Sequence, residues 1–215
     1  MKLITPAQAA ELVHPGHALI ASGSGGGHAV PEALLAALGD RFRRTGAPAG
    51  LTLAHVVGIG DRAARGAAHL AQPGMVRRLI TSALVDAPAF IPMAMADEVE
   101  AYTLPQGVLS QLMREMAAGR PGLITRTGLH TFVDPRQAGA LQGGTATEPR
   151  VEVIRIDGQD WLRFLPFHID VAFLRGTTAD EDGNISMEQE AIPGEMLSTA
   201  RSEEHTSELQ SHVNL

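Results

Sequence analysis

The hydrophobic positions of the chain form short apolar runs that alternate with amphipathic segments and with turns containing glycine or proline. Short apolar runs predict buried strands, whereas apolar positions that recur every three or four residues predict helices. Strands separated by helices in this way indicate an α/β fold with an open, doubly wound and mostly parallel sheet. We predict strands at 17–21, 51–57, 76–82, 99–104 and 169–174, and helices at 6–13, 31–44, between Asp61 and Ala71, and at 108–118.

Thr5 and Gln8 predict the start of the first helix, because Thr-x-x-Gln is the pattern of a capping box. The middle of the chain departs from the α/β pattern. Residues 128–147 read as a loop that is too long for a simple connection. Segments 151–156 and 161–165 flank the turn sequence Asp157-Gly158-Gln159-Asp160, which predicts a β-hairpin inserted at about 128–166 in a domain covering 1–200.

A glycine-rich loop, Ser-Gly-Ser-Gly-Gly-Gly-His at 22–28, connects the first predicted strand to the next helix. Glycine adopts positive φ and lacks Cβ, so the backbone N–H groups of Gly25, Gly26, Gly27 and His28 can converge on an anion. The loop is not a dinucleotide fingerprint, which requires glycine at position 28. The P-loop sequence Gly-Lys-Ser/Thr and the Gly-x-Ser-x-Gly nucleophile motif are also absent. A simple turn without a ligand is the alternative.

Composition and charge limit the possible partners. The chain has 215 residues, 44% of them hydrophobic, and a formal net charge of −7, which argues against nucleic acid and acidic membranes as partners. It contains no cysteine, which fits a cytoplasmic location. The longest apolar stretch, 83–96, is interrupted by Asp86, Pro88 and Pro92, so we expect no membrane span, and the N-terminus lacks the pattern of a signal peptide.

Five phrases carry a family resemblance: GSGGGHAVPEALL (23–35), HVVGIGDRAARG (55–66), LPQGVLSQLMREMAAGRPG (104–122), TFVDPR (131–136) and RGTTADEDGNISMEQEA (175–191). In this order and spacing they resemble the family I coenzyme A transferases. The similar type is acyl-CoA:acetate/3-ketoacid transferase, in which an α half and a β half share one chain. The resemblance covers about Leu3 to Ala191 and corresponds to the α half. It predicts a glycine at position 130, where this chain has His130.

The resemblance implies a transferase that moves coenzyme A (CoA) between a short-chain acyl-CoA and an acceptor carboxylate through a glutamyl-CoA thioester. CoA is then a substrate, and no cofactor or metal is expected. Substrate or oxyanion contacts are expected at Gly25, Gly26, Gly27, His28, Gln106, Gly107, Thr177 and Thr178. The expected partners are acyl-CoA, small carboxylates and, for the full-length protein, further copies of itself.

The resemblance places the nucleophilic glutamate in the β half, within a Glu-x-Gly sequence. Glu181-Asp182-Gly183 has the same letters but lies inside an α-half phrase, so we assign no catalytic residue. Residues 201–212 resemble an in-frame translation of a sequencing adapter. We therefore expect 201–215 to be a non-native tail on a truncated reading frame, and the chain alone to be inactive.

Two other functions remain open from the sequence. A non-catalytic module that senses sugar phosphates or acyl ligands has the same kind of sheet, but would lack the LPQG and GTTADEDGNIS phrases as a pair. An isomerase of phosphorylated sugars needs acid–base carboxylates and a lysine, and Lys2 is the only lysine. His14 and His17 provide two imidazoles without a third ligand nearby in sequence, which favours a turn over a metal site. Arg41, Arg43, Arg44, Arg77 and Arg78 are candidates for contacts with CoA phosphates or for solvated surface positions.

Overall fold

A mostly parallel β-sheet forms the centre of the protein in the computed structural model, which describes residues 3–182 and 184–190. The predicted tail at 201–215, the end of the predicted domain at 191–200 and Gly183 lie outside the described residues. The strands in the described part are β1 (Ala18–Ala21), β2 (Leu51–His55), β3 (Val76–Thr81), β4 (Glu100–Thr103), β5 (Leu123–Thr125), β6 (Leu141–Gln142), β7 (Val151–Ile156), β8 (Gln159–Phe164), β9 (Val171–Phe173), β10 (Thr178–Ala179) and β11 (Ile185–Ser186). The α-helices are α1 (Pro6–Glu11), α2 (Glu32–Thr45), α3 (Phe90–Met95) and α4 (Gln106–Ala117).

The order of strands in the main sheet is β6-β4-β3-β2-β1-β9. Neighbouring strands are parallel from β4 to β9, and β6 runs antiparallel to β4. Every residue of β2 is buried, as expected for a parallel strand covered on both faces. Its neighbouring residues Leu53 and Ala54 belong to two different hydrophobic clusters, one including α1, α2 and α3, the other including α4 and β5, β7 and β8. The predicted doubly wound fold is confirmed.

Helix termini follow local sequence signals. At α1, Thr5 N donates to Gln8 Oε1 (2.9 Å) and Gln8 N donates to Thr5 Oγ1 (3.2 Å), so the predicted capping box is confirmed. Helix α2 ends at Gly46, which has φ +70° and donates its N–H to Phe42 O (2.7 Å). Pro31 is the N-cap residue of α2 rather than part of its first turn, so this helix begins one residue later than predicted.

The predicted hairpin is confirmed as β7 and β8. Ile156 pairs with Gln159 across a turn in which Asp157 and Gly158 have φ of +49° and +77°, the conformation that Asp-Gly favours in a tight hairpin. The sequence did not predict β5, which joins this hairpin in a three-stranded antiparallel sheet. This small sheet packs with α4 on one face of the main sheet.

The prediction of an alanine-rich helix after Asp61 is wrong, because the structure has only a short 3-10 turn there, Gly66–Leu70. Asp61 Oδ1 accepts from Ala63 N (2.9 Å) and Arg65 N (3.1 Å), so the side chain binds the backbone in a turn. Arg62 has φ +64°, which also interrupts a helix. Helix α3 was not predicted from its proline-interrupted apolar run.

Candidate functional site

The carboxyl ends of the parallel strands meet at one edge of the main sheet, where β1 lies between β2 and β9. The chain leaves β1 toward β2, whereas β9 arrives on the other side of β1 from a distant part of the sequence. Ligands of open α/β sheets bind at such a change of strand order. Ser22 N donates to Phe173 O (2.9 Å) and Arg175 N donates to Ser22 Oγ (3.1 Å), so the glycine-rich loop and the segment after β9 begin side by side.

The glycine-rich loop has a backbone that is open to a ligand. Gly25–Gly27 form a 3-10 turn, and Gly26 and Gly27 have φ of +75° and +82°. Ser24 N donates to His28 O (2.9 Å), which closes the loop, while Gly26, Gly27 and His28 are exposed. A Cβ on Gly26 would meet nothing within 4 Å. Three of the predicted site residues of this loop, Gly26, Gly27 and His28, therefore lie together on an accessible surface.

The start of α2 contributes fewer free donors than the sequence suggested. Glu32 N donates to Val30 O (2.8 Å) and Leu35 N donates to Pro31 O (3.1 Å). The Glu32 carboxylate lies at the positive end of the helix and accepts from Gly66 N (2.8 Å). The structure thus leaves the glycine-rich loop, rather than these helix N–H groups, available to an anion.

The loop after β2 packs tightly against the loop after β3 through two glycines. A Cβ on Gly58 would lie 2.2 Å from Asp86 Oδ2, and a Cβ on Gly60 would lie 2.2 Å from Asp86 O. Asp86 is buried and faces Arg62, with Oδ1 3.4 Å from Nε. The Gly-x-Gly of this phrase is therefore explained by close packing of two loops rather than by a bound phosphate.

His55 ends β2 at the same edge of the sheet and is 3% exposed. Its Nδ1 lies 2.6 Å from Val57 O and 2.9 Å from Thr81 Oγ1, so the carbonyl fixes the proton on Nδ1. Nε2 is buried and has no hydrogen-bond partner among the described residues. Burial lowers the pKa of His55 to about 4, against the smaller opposing effects of the Val57 carbonyl and Asp86. His55 was not singled out from the sequence, and the signal that could have found it is a histidine within the mostly apolar predicted strand 51–57.

Thr177 and Thr178, both predicted site residues, have different surroundings. Thr177 Oγ1 donates to Glu190 Oε2 (2.6 Å) and accepts from Gln189 N (3.2 Å), so this hydroxyl is engaged within the protein. Thr178 is exposed, in the short antiparallel pair β10–β11. The Glu190 side chain is 2% exposed. Sequence reasoning missed Glu190, because only the folded hairpin brings it beneath Thr177.

Gln106 and Gly107 lie in the first turn of α4, after β4, and both are exposed. They share the carboxyl edge of the sheet with the other predicted site residues. Strands are spaced about 4.8 Å apart, so the end of β4 is roughly 14 Å from the end of β1 and roughly 19 Å from the end of β9. The structure therefore brings the glycine-rich loop close to the segment of Thr177 and Thr178, while Gln106 and Gly107 lie farther along the same edge.

The TFVDPR phrase anchors the long loop. Asp134 accepts from His130 N (2.9 Å) and from Arg136 Nη2 (2.7 Å), and Arg136 Nη1 donates to Asp160 Oδ2 (2.7 Å) in β8. The Arg136 hydrogen bonds hold the pKa of Asp134 well below its usual range. His130 has φ +64°, the left-handed region that favours glycine, which explains why the resemblance predicts glycine there.

Most of the arginines considered for CoA phosphates make contacts inside the protein. Arg78 Nε pairs with Glu100 Oε2 (2.6 Å) and Arg41 Nη1 donates to Ala10 O (2.6 Å). Arg43 pairs with Asp40. A cavity of about 250 Å³ is lined by residues at the end of α4 and before β9, the edge of the sheet opposite the glycine-rich loop.

Metal-binding clusters and membrane-spanning helices are absent from the part of the chain that the structure describes. Residues 3–182 and 184–190 contain no group of three metal-binding side chains, and none of their helices is long and apolar enough to cross a membrane. His17 Nδ1 accepts from His14 N (3.2 Å), an arrangement of the turn that precedes β1. The expectation of no metal or cofactor stays a prediction.

Comparison with known proteins identifies the family. The coenzyme A transferase family model matches residues 3–203. Caffeate CoA-transferase from Acetobacterium woodii is 40% identical over 200 residues, covering 93% of this chain and 38% of that protein. Acetate CoA-transferase YdiF from Escherichia coli K12 is 36% identical over 170 residues, covering 79% of this chain and 32% of that protein.

A solved structure supports the same assignment. Acyl-CoA transferase YdiF from Escherichia coli O157:H7, in a thioester complex with CoA, has a TM-score of 0.88 and 32% identity to this chain. The match covers 92% of this chain and 40% of that one. The chain thus spans less than half the length of these relatives, and with a family match over most of its residues it belongs to the coenzyme A transferase family.

Proposed function

We propose that this chain provides the α portion of an acyl-CoA:carboxylate CoA-transferase that uses acetate or a 3-ketoacid. The observation that carries the proposal is the position of the glycine-rich loop beside the segment after β9, at the change of strand order, in a chain of this family. The solved relative in a thioester complex with CoA supports CoA as the group that is transferred.

In the proposed reaction, a glutamate carboxylate attacks the acyl-CoA thioester carbonyl and releases the CoA thiolate, leaving an acyl-glutamyl anhydride. The thiolate then attacks the glutamyl carbonyl, which releases the acyl group as a carboxylate and leaves a glutamyl-CoA thioester. The acceptor carboxylate attacks this thioester, and the two steps run in reverse to give the new acyl-CoA. Each addition forms an oxyanion that backbone N–H donors stabilise.

We assign the oxyanion and substrate contacts to Gly25–Gly27 and His28, with Thr178 beside them and Gln106 and Gly107 farther along the same edge. The open backbone at Gly26 supports this role, because a ligand can approach it without displacing a side chain. The nucleophilic glutamate belongs to a β-type segment rather than to residues 3–190. Cytoplasmic location and association with further copies are part of the same proposal.

Activity and binding measured together test the proposal. The purified 215-residue chain is expected to bind acyl-CoA in calorimetric titrations. It should give no transfer of CoA to [14C]acetate until a β-type polypeptide with the Glu-x-Gly sequence is added. Turnover by the chain alone would contradict the division of the site between the two halves. Binding without turnover even after the β-type polypeptide is added would instead favour the sensor module.

A further inference from the structure

Arg175 occupies a special position among the arginines. Most arginine side chains in residues 3–182 and 184–190 contact a carbonyl or a carboxylate, as Arg78 does with Glu100 and Arg163 does with Pro121 O. The terminal nitrogens Nη1 and Nη2 of Arg175 have no such partner in this part of the chain. The side chain is 33% exposed, so a ligand can reach it.

The backbone of Arg175 is fixed next to the glycine-rich loop. Ala21 pairs with Phe173 in the parallel register of β1 and β9, so continuing this register places Arg175 opposite Gly23. The hydrogen bond from Arg175 N to Ser22 Oγ (3.1 Å) confirms this proximity. Neighbouring strands lie about 4.8 Å apart, which is shorter than an extended arginine side chain. The guanidinium is therefore long enough to extend past Gly23, where the glycine-rich loop leaves β1, and we infer that it reaches a ligand bound in that loop.

Glu190 limits the directions that the guanidinium can take. Its Oε1 is buried, lies 3.8 Å from Arg175 Nε and has no hydrogen-bond partner among the described residues. Its Oε2 accepts from the Thr177 hydroxyl at 2.6 Å, which holds the carboxylate in place. The carboxylate thus attracts the Nε side of the guanidinium and leaves Nη1 and Nη2 as a pair of donors for an oxyanion.

We propose that Arg175 binds an anionic group of the substrate, a carboxylate or a phosphate, with its two terminal nitrogens, and that Glu190 positions it. This inference rests on the proposed function, because it names a substrate contact at the same site. Both anions present two oxygens to a planar guanidinium, and they come from different substrates: the carboxylate from the acceptor acid and the phosphates from CoA.

The test compares the wild-type chain with Arg175→Gln, Arg175→Lys and a control, Arg44→Gln. The sequence made Arg44 a candidate for CoA phosphates, but it lies in the last turn of α2, roughly 20 Å along the helix from the glycine-rich loop, so we exclude it from the proposed site. Its side chain is also exposed and unpaired among the described residues. The ligands are acetate, followed by ligand-observed NMR, and CoA and pantetheine, followed by calorimetry. Pantetheine lacks both the phosphates and the carboxylate.

Arg175→Gln is expected to raise the Kd of acetate, of CoA or of both at least tenfold, which corresponds to about 1.4 kcal/mol. Pantetheine binding and all affinities of Arg44→Gln should stay at wild-type values. Weaker binding of acetate alone identifies the acceptor carboxylate as the group that Arg175 binds. Weaker binding of CoA alone identifies a phosphate. Arg175→Lys should bind the same ligand at least threefold more weakly, because a point charge replaces the pair of donors. This variant provides the test if Arg175→Gln does not fold.

Unchanged affinities for acetate and CoA in the Arg175 variants would overturn the inference while the proposed function stands. An equal loss in Arg44→Gln would overturn it as well, because it would indicate a general effect of charge. Failure of the wild-type chain to bind any of the three ligands would contradict the proposed function itself, and with it the assignment of Arg175.

Discussion

Acidification from pH 7 to pH 5 is expected to destabilise the protein through His55. The imidazole is buried at the end of β2, with Nδ1 donating to Val57 O and Nε2 without a partner among the described residues. A second proton would have to bind at Nε2 and would place a charge inside the protein. Burial therefore lowers the pKa of His55 from 6.5 to about 4, while the unfolded chain has the ordinary value.

The sign and size of the effect follow from this difference. Between pH 6.5 and 4 the unfolded state binds more protons than the folded state, so stability falls as the pH is lowered and the loss is complete below about pH 4. Linkage gives a loss of about 1.8 kcal/mol between pH 7 and pH 5, and about 3.4 kcal/mol over the whole range, at about 1.36 kcal/mol per pH unit.

The assay is urea unfolding followed by circular dichroism at pH 7, 6 and 5, with wild type, His55→Asn and Thr81→Val compared. Asparagine keeps a donor toward Val57 O but does not titrate, so His55→Asn should be less stable at pH 7 and lose about 1.8 kcal/mol less on acidification. Thr81→Val leaves the imidazole buried and should keep the wild-type pH dependence. Equal pH dependence in His55→Asn and wild type would refute the reasoning.

Two further substitutions test local features by urea unfolding. Thr177→Val should lower the free energy of unfolding by about 1–3 kcal/mol, because the buried Glu190 carboxylate loses its hydrogen-bond donor. Thr178→Val, at an exposed position, should change it by less than about 0.5 kcal/mol. Equal effects of the two substitutions would contradict the Thr177–Glu190 contact. His130→Gly should raise the free energy of unfolding by about 0.5–1 kcal/mol, because His130 has a φ of +64°, which glycine adopts without strain. Ala138→Gly, in the same loop but without a positive φ, should lower the free energy of unfolding. A less stable His130→Gly variant would show that contacts of the histidine side chain outweigh the backbone strain.

The sequence predicted most of the main sheet because its strands are apolar runs bounded by turn residues. The hairpin was equally clear, since Asp157-Gly158 favours the positive φ values that its turn adopts. Failures occurred where tertiary contacts decide the local structure. The alanine-rich stretch after Asp61 has good helix formers, but the Asp61 carboxylate binds Ala63 N and Gly66 N donates to Glu32, so the chain turns instead.

The candidate site was predictable only in part, for a similar reason. The phrases identified the loops after β1, β4 and β9, but sequence spacing does not show which of them are neighbours. Strand order decides this, and it places the segments of Arg175 and Ser22 together while Gln106 lies three strands away from β1. The contact of Glu190 with Thr177 could not be predicted from the sequence either, because it forms only when the β10–β11 hairpin brings the two residues together.

The glycines of the family phrases have two different physical causes, and the difference bears on the ligand site that we propose. Gly58 and Gly60 are required by packing, since a Cβ on either would lie 2.2 Å from an atom of Asp86. Gly26 has open space around it and a φ of +75°, so no neighbouring side chain explains the absence of a Cβ there. Glycines in open loops cost conformational entropy on folding without any gain in packing. Open space at Gly26 leaves room for the anion that we propose to bind at the turn after β1, with Arg175 as the proposed cation beside it.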